Sequence, residues 1–372
     1  MSVTSANVLI EWLRQYRLLE PAQLAELTHK RHQFPVQPQA LVKELVRRGW
    51  LTVFQANYLL ESRARELVFG PYRILDHIGR GGLCDVYKAC HVQKQCLVAL
   101  KVVRPDYASH PDALAQFQKE MQAIVQLSHP NVVRAVDTEV VAGGRNYFAM
   151  EYVEGVDLNK LVQTFGPLPI MHACEYARQA ALGLQHIYEH GLVHRDIKPA
   201  NLLRVGPTEP TPVADANAPP TALIKILDLG LALLEWIQET DERRATLHRM
   251  SHAVLGSPDF ISPEQALNPD QADIRSDIYS LGCTLYFLLT GQVPFPGTSL
   301  AQKLVQHQNE EPVPVEQRRP EVVPGLAATV RKMMAKRPAD RYQTPAAVAT
   351  ALAPFSRRSS GFIPRPIIPR GS

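Results

Sequence analysis

Apolar residues open the chain at helical spacing: Leu9, Trp12, Leu13 and Tyr16 share one face of a first segment, and Leu41, Val42, Leu45 and Val46 share one face of a later one. Gly49 follows the second stripe, where a helix stop belongs. Sliding this prefix by 32 positions sets Leu13 on Leu45, Leu19 on Leu51, Gln23 on Gln55 and Leu27 on Leu59, which predicts two related helical hairpins within residues 1–67. From Tyr72 to Glu151 the texture changes to short runs of Val, Ile, Leu, Tyr and Phe broken by Gly and Asn, with one polar helical run over Asp112 to Leu127. This predicts a sheet with one helix. Helical patterns dominate from Leu158 onward, over Ile170 to Glu189 and Ile274 to Leu289, and Gly291 to Pro296 stops the second. Glu151 to Gly155 lies between the two textures and reads as a hinge.

Two stretches break the periodicity. Val205 to Thr221, rich in Pro, Ala and Thr, cannot bury much and interrupts the apolar strands Leu202-Leu203 and Leu223 to Leu227, so it reads as an inserted loop over 205–221. The basic, proline-containing tail over 356–372, with Arg357 and Arg358, is expected to be disordered.

Composition narrows the class. With 372 residues and 45% hydrophobic content the chain can bury a large core plus a smaller unit. Forty Lys and Arg against 36 Asp and Glu give a formal charge of +4, too mild for a nucleic-acid surface. Cys84, Cys90, Cys96, Cys174 and Cys283 form no Cys-x-x-Cys pair, which argues against a disulfide framework or a zinc cluster and for a reducing, cytoplasmic setting. Ser2 to Asn7 lacks the basic start of a secretory signal, and Leu281 to Leu289 is far shorter than the ~20 residues of a membrane span.

The densest chemistry is His194-Arg195-Asp196-Ile197-Lys198-Pro199-Ala200-Asn201. A carboxylate that can deprotonate a hydroxyl, an amine that can neutralise a phosphoryl oxygen and an amide that can hold a divalent metal are what phosphoryl transfer requires. A polar turn after a helix is the plain alternative. Further signals decide between them. Gly79-Arg80-Gly81-Gly82 joins two strand-like runs with a flexible turn through which backbone amides can approach phosphates. Val98-Ala99-Leu100-Lys101 sets one amine in an apolar strand, where it is costly unless phosphates and a carboxylate flank it. Ile226-Leu227-Asp228-Leu229-Gly230 delivers one carboxylate to a glycine turn, an oxygen ligand of the kind hard divalent metals take.

These ordered motifs resemble the catalytic domain of eukaryotic-type protein kinases, and the form His-Arg-Asp-x-Lys-Pro-x-Asn resembles the serine/threonine branch, of the bacterial eukaryotic-like type. The resemblance spans about Phe69 to Phe355. It implies an α+β, bilobal fold over 69–355, with a small β-rich N-lobe (about 69–150) and a large helical C-lobe (about 151–355), preceded by the all-α prefix. It implies ATP and Mg2+, with Mn2+ as an alternative, and protein substrates bearing Ser or Thr. In this reading Asp196 is the catalytic base, Lys198 stabilises the transferred group, and Lys101 holds the nucleotide phosphates with Glu120 as its carboxylate partner. Asn201 and Asp228 hold the metal. Ile78, Gly79, Gly81 and Gly82 cover the phosphates; Val86 and Ala99 with Leu203 sandwich adenine; Met150 guards the rear of the pocket; backbone groups of Glu151 and Val153 bond the base; Asp157 meets the ribose or a basic substrate residue. Cys84 stands where the family's third glycine usually sits, which would alter nucleotide affinity somewhat. Leu229 replaces the usual phenylalanine and keeps its packing role.

The resemblance further implies that Ser262-Pro263-Glu264 closes the activation segment, that Asp277 holds the catalytic-loop backbone and that Arg341 pairs with Glu264. Arg195 would read a phosphate on that segment, with Ser251 the preferred acceptor and Thr246 and Thr240 next, while Ser257 would bond near Asp196 and Lys198. Phe287 stands where kinases favouring arginine-rich peptides carry an acid, so no strong basic preference is expected. Two rival readings remain: a pseudokinase scaffold that binds a protein partner through its prefix, disfavoured because Lys101, Glu120, Asp196, Asn201 and Asp228 are all present, and a small-molecule kinase, disfavoured by the long activation segment. Many such kinases continue into a membrane anchor and sensor; this chain stops before one, so a soluble protein or a fragment is expected.

Overall fold

A computed structural model of the chain describes residues 5–80, 84–104, 121, 124–141, 145–207, 221–228, 258–268 and 271–356. The described residues divide into two compact units, the first up to Val125 and again over Arg134–Val153, the second over Gln126–Val133 and from Glu154 onward.

The first unit opens with α1 (Ala6–Gln15), α2 (Pro21–His29), α3 (Pro38–Arg47) and α4 (Val53–Leu60). The bounds of α3 are those of α1 moved on by the 32 residues that align the leucines, and α4 begins the same distance after α2. Starts and stops follow local chemistry. Pro21 and Pro38 occupy first turns, where a missing N–H costs nothing, and Gly49 takes the left-handed conformation (φ 69°) just beyond α3. Glu20 with Gln23, and Thr52 with Gln55, close capping boxes at α2 and α4.

After β1 (Val68–Phe69) come β2 (Tyr72–Arg80), β3 (Cys84–His91), β4 (Cys96–Val103), β5 (Ala135–Val141) and β6 (Arg145–Glu151), in one sheet of order β1-β2-β3-β4-β6-β5. Alternation along β4 separates two faces. Val98, Leu100 and Val102 join Ala89, Tyr147 and Ala149 in one core with Leu9, Leu13, Leu27, Leu41, Leu45 and Leu59 of the prefix, whereas Ala99 and Lys101 point to the other face. The prefix therefore packs on the sheet, burying a second face of strands whose runs read as apolar throughout.

The second unit carries a small antiparallel sheet of β7 (Gly155–Asp157), β8 (Leu202–Val205) and β9 (Ile224–Ile226). Around it are α5 (Leu158–Phe165), α6 (Ile170–Glu189), α7 (Pro263–Leu267), α8 (Ile274–Thr290), α9 (Leu300–Asn309), α10 (Val315–Arg318), α11 (Pro324–Met333) and α12 (Pro345–Leu352). Gly155, expected in a hinge, begins a strand instead. A Cβ there would lie 2.4 Å from the Arg204 carbonyl oxygen, so only glycine lets β7 approach β8. α8 buries every residue from Ser276 to Leu289 and ends at Gly291 in the left-handed conformation (φ 72°). Among the described residues no helix is long and apolar enough to cross a membrane.

Candidate active site

Within the second unit, the turn before β8 gathers several of the polar residues singled out above. Buried Asp277 in α8 accepts hydrogen bonds from the backbone N–H groups of His194 and Arg195, both at 2.8 Å. Burial pushes the Asp277 carboxyl upward, and those amides with the nearby His194 and Arg195 oppose the rise. Arg195 takes a left-handed backbone (φ 67°), held further by Gln265 Nε2 donating to its carbonyl at 2.9 Å.

His194 works on both ring nitrogens. Nδ1 accepts from the Asp196 N–H at 3.2 Å, and Nε2 lies 2.7 Å from the Leu227 carbonyl, an acceptor only, so the proton sits on Nε2. That imidazole couples the loop to β9. The Leu227 N–H donates to the Asn201 carbonyl at 2.9 Å, and the next residue, Asp228, stands in a left-handed backbone (φ 65°).

Asp196, Lys198 and Asn201 meet directly. Lys198 Nζ donates to Asp196 Oδ2 at 2.7 Å, and Asn201 Nδ2 donates to the same oxygen at 3.0 Å and to the Asp196 carbonyl at 2.8 Å. With its nitrogen committed to Asp196, Asn201 offers its amide oxygen as the ligating atom. That oxygen and the Asp228 carboxylate are hard donors of the kind that could hold Mg2+ or a similar cation. The Asp157 carboxylate caps α5 by accepting from the Lys160 N–H at 2.8 Å, a structural duty the sequence reading did not foresee. Leu203, paired with Lys225, is buried in β8.

In the first unit, Gly79 pairs with Val86 and Val86 with Lys101, while Ala99 pairs with Met150 and Val98 with Glu151. Directly opposed residues share a face, so Val86, Ala99, Lys101 and Met150 line one side of the sheet, the side turned from the prefix core. Lys101 is only 4% exposed. The Glu151 N–H donates to the Arg134 carbonyl at 2.9 Å. Ile78, near the end of β2, is exposed, and Val153 follows β6. Lys88 of β3 lies 4.4 Å over the Tyr152 ring, a cation–π contact that no motif signalled.

Glu264 and Arg341 form a two-pronged ion pair at 2.7 and 2.8 Å, and the Ser276 hydroxyl adds a bond of 2.6 Å. Burial raises the Glu264 carboxyl, but the guanidinium and the hydroxyl outweigh it and leave it below its ordinary value. Glu120, Gly81, Gly82, Thr240, Thr246, Ser251 and Ser257 lie outside the described residues. Burial pushes the thiols of Cys174 and Cys283 up to about 12, so neither acts as a nucleophile near neutral pH.

Sequence reasoning missed Gln265 and the two-sided role of His194. The motif names the histidine, but its link to Leu227 spans 33 positions and is visible only in three dimensions.

Residues 72–352 match the family model described as the protein kinase domain. The chain is similar to serine/threonine-protein kinase PknB of Mycobacterium leprae, 38% identical over 278 residues, covering 74% of this chain and 41% of that protein. It is also similar to serine/threonine-protein kinase pkn3 of Myxococcus xanthus, 34% identical over 272 residues, covering 73% and 47%. It thus spans under half the length of the curated relatives it matches. Among solved structures, the PknI kinase domain of Mycobacterium tuberculosis superposes with a TM-score of 0.58 at 23% identity, covering 77% of this chain and 97% of that one, which shows a shared fold.

Proposed function

The chain belongs to the protein kinase family, and from that premise we propose that it transfers the γ-phosphate of ATP to serine or threonine hydroxyls of proteins. Membership carries with it the use of ATP and a divalent metal; Mg2+ is the ion proposed here, with Mn2+ as a substitute. The observation that carries the reading is the cluster of Asp196, Lys198 and Asn201 on one oxygen, tied through Leu227 to Asp228.

Asp196 orients the substrate hydroxyl and takes its proton as the oxygen bonds to the γ-phosphorus and the bond to the β–γ bridging oxygen breaks. Lys198 neutralises charge on the transferring group. Its contact with Asp196 keeps the two charges in register before substrate arrives. Asn201 and Asp228 would hold the metal, which would supply charge neutralisation to the phosphates. Lys101, with Glu120, fixes the α and β phosphates. Gly79, Gly81, Gly82 and Ile78 cover them, while Val86, Ala99, Leu203, Met150, Glu151 and Val153 receive the base. Asp157, which also caps α5, meets the ribose or a basic substrate residue.

Arg195 is proposed to bind a phosphate on Ser251 or Thr246; its Nε has no hydrogen-bond partner among the described residues. Ser257 is proposed to bond near Asp196 and Lys198. The experiment is transfer of labelled phosphate from ATP and Mg2+ to a generic protein substrate. Asp196→Asn should abolish transfer while nucleotide still binds; transfer that persists removes the assignment. Mass spectrometry of the incubated chain reads the autophosphorylation sites, and an unmodified activation segment would sink that part.

A further inference from the structure

Strand β2 loses its outer neighbour part-way along. β1 pairs with it only at Phe69↔Tyr72 and Val68↔Arg73, so from Ile74 onward no described strand lies on that edge. Such an edge presents backbone groups in need of partners. Register with β3 slips at the same place: Ile74 faces Ala89 and Asp76 faces Lys88, leaving Leu75 as an extra residue in a β-bulge.

The start of α4 fills the gap. Gln55, 1% exposed, donates through Nε2 to the Ile74 carbonyl at 2.7 Å, and the Thr52 hydroxyl donates to the Leu75 carbonyl at 2.5 Å. Both side chains are locked by their own capping box: Thr52 Oγ1 accepts from the Gln55 N–H at 3.1 Å, and Gln55 Oε1 accepts from the Thr52 N–H at 3.0 Å. The box at α2 reaches the preceding β2 residue, Glu20 taking Arg73 at 2.7 Å. Successive residues Arg73, Ile74 and Leu75 are thus held by capping residues at the starts of α2 and α4.

Four residues beyond the bulge, past a second register shift between His77 and Gly79, β2 reaches Gly79, which faces Val86, which faces Lys101. A bulge re-aims the strand that follows it. We propose that Thr52 and Gln55 are positioning residues for nucleotide binding: by fixing the bulge at Leu75 they set the course of β2 up to Gly79, making the helical prefix part of the ATP site's support. This rests on the kinase reading above.

The test compares the whole chain with Thr52→Val, Thr52→Ser and Gln55→Met, measuring kcat and KM for ATP at saturating protein substrate alongside the thermal midpoint. Thr52→Val and Gln55→Met keep volume and remove the donor to β2. The expected result is a rise in KM for ATP of about three- to tenfold in both, kcat within about twofold, and near-wild-type values for Thr52→Ser, which keeps the hydroxyl. Should Gln55→Met fail to fold, Thr52→Val carries the same comparison. An unchanged KM in an active chain, even with a lowered midpoint, overturns the positioning role alone. A wild-type chain without transfer overturns the kinase reading and this proposal with it.

Discussion

Arg341 holds Glu264 with both prongs of its guanidinium, at 2.7 and 2.8 Å, and uses every other N–H as well: Nε on the Ala335 carbonyl at 2.7 Å, Nη1 on Arg275 at 2.9 Å and Nη2 on Lys336 at 2.9 Å. All five donors are engaged, and the side chain is wholly enclosed. One residue therefore joins α7 to the start of α8 and to the segment that follows α11.

Arg341→Ala leaves Glu264 and three carbonyls without their donor in a dry site. The expected loss is about 3–5 kcal/mol in a denaturant titration, the usual result of breaking a buried pair on one side. Arg341→Lys recovers only part, because an ammonium cannot span both carboxylate oxygens. A loss below about 1 kcal/mol would contradict the assignment.

Acid should destabilise the second unit through His307. Burial, with the Lys336 ammonium nearby, holds its imidazole down to about 3. The unfolded chain takes up the proton near the ordinary value of about 6.5, so stability is full above that pH and is lost as pH falls from there toward about 3. Glu264, also depressed, adds a loss at lower pH, below the ordinary range for glutamate. His307→Gln removes the first component. Denaturation midpoints between pH 7 and pH 4 should then fall less steeply than in the unmodified chain; identical slopes would refute the claim.

Asp277→Asn replaces an acceptor of two N–H groups by an amide that can turn only one oxygen toward them. The left-handed turn at Arg195 loses a support. We expect kcat for phosphate transfer to fall on the order of 100-fold, with the circular dichroism of the folded chain retained. Near-normal kcat would show that the turn holds its shape without the charge.

Gly183→Ala in α6 tests close packing under Asp228. Alanine favours a helix by about 1 kcal/mol, yet its Cβ would meet Ile226 Cδ1 at 2.7 Å and the Asn131 carbonyl oxygen at 2.9 Å. Overpacking costs of about 1–3 kcal/mol outweigh the propensity gain, and one of the displaced atoms, Ile226 Cδ1, belongs to β9, the strand that leads to Asp228. Thermal unfolding should show a net loss, accompanied by weaker metal dependence of transfer. A stabilised variant would mean that β9 yields freely.

Much of this protein is legible in its residues. The helices over Ile170–Glu189 and Ile274–Thr290 follow from apolar periodicity and glycine stops, and the kinase family follows from short motifs whose chemistry is local. His194 to Asn201 sets a carboxylate, an ammonium and an amide within eight positions, because a turn brings close neighbours together without help from the rest of the chain. The leucines repeated 32 apart likewise foretell helices displaced by that interval.

What the tertiary structure alone decided is where those pieces lean. Periodicity gives a helix its apolar face but cannot say which surface covers it, so the packing of the prefix on the far side of β4 could not be read from Leu9 or Leu45. In sequence Gln55 is marked only as the repeat partner of Gln23; that its amide closes the edge of β2 depends on β1 ending after Phe69. Asp157 carries a carboxylate fit for a ligand, and the fold assigns it to the start of α5. In each case the polar group is specified by local sequence, whereas its partner is set by which distant backbone groups burial leaves unpaired.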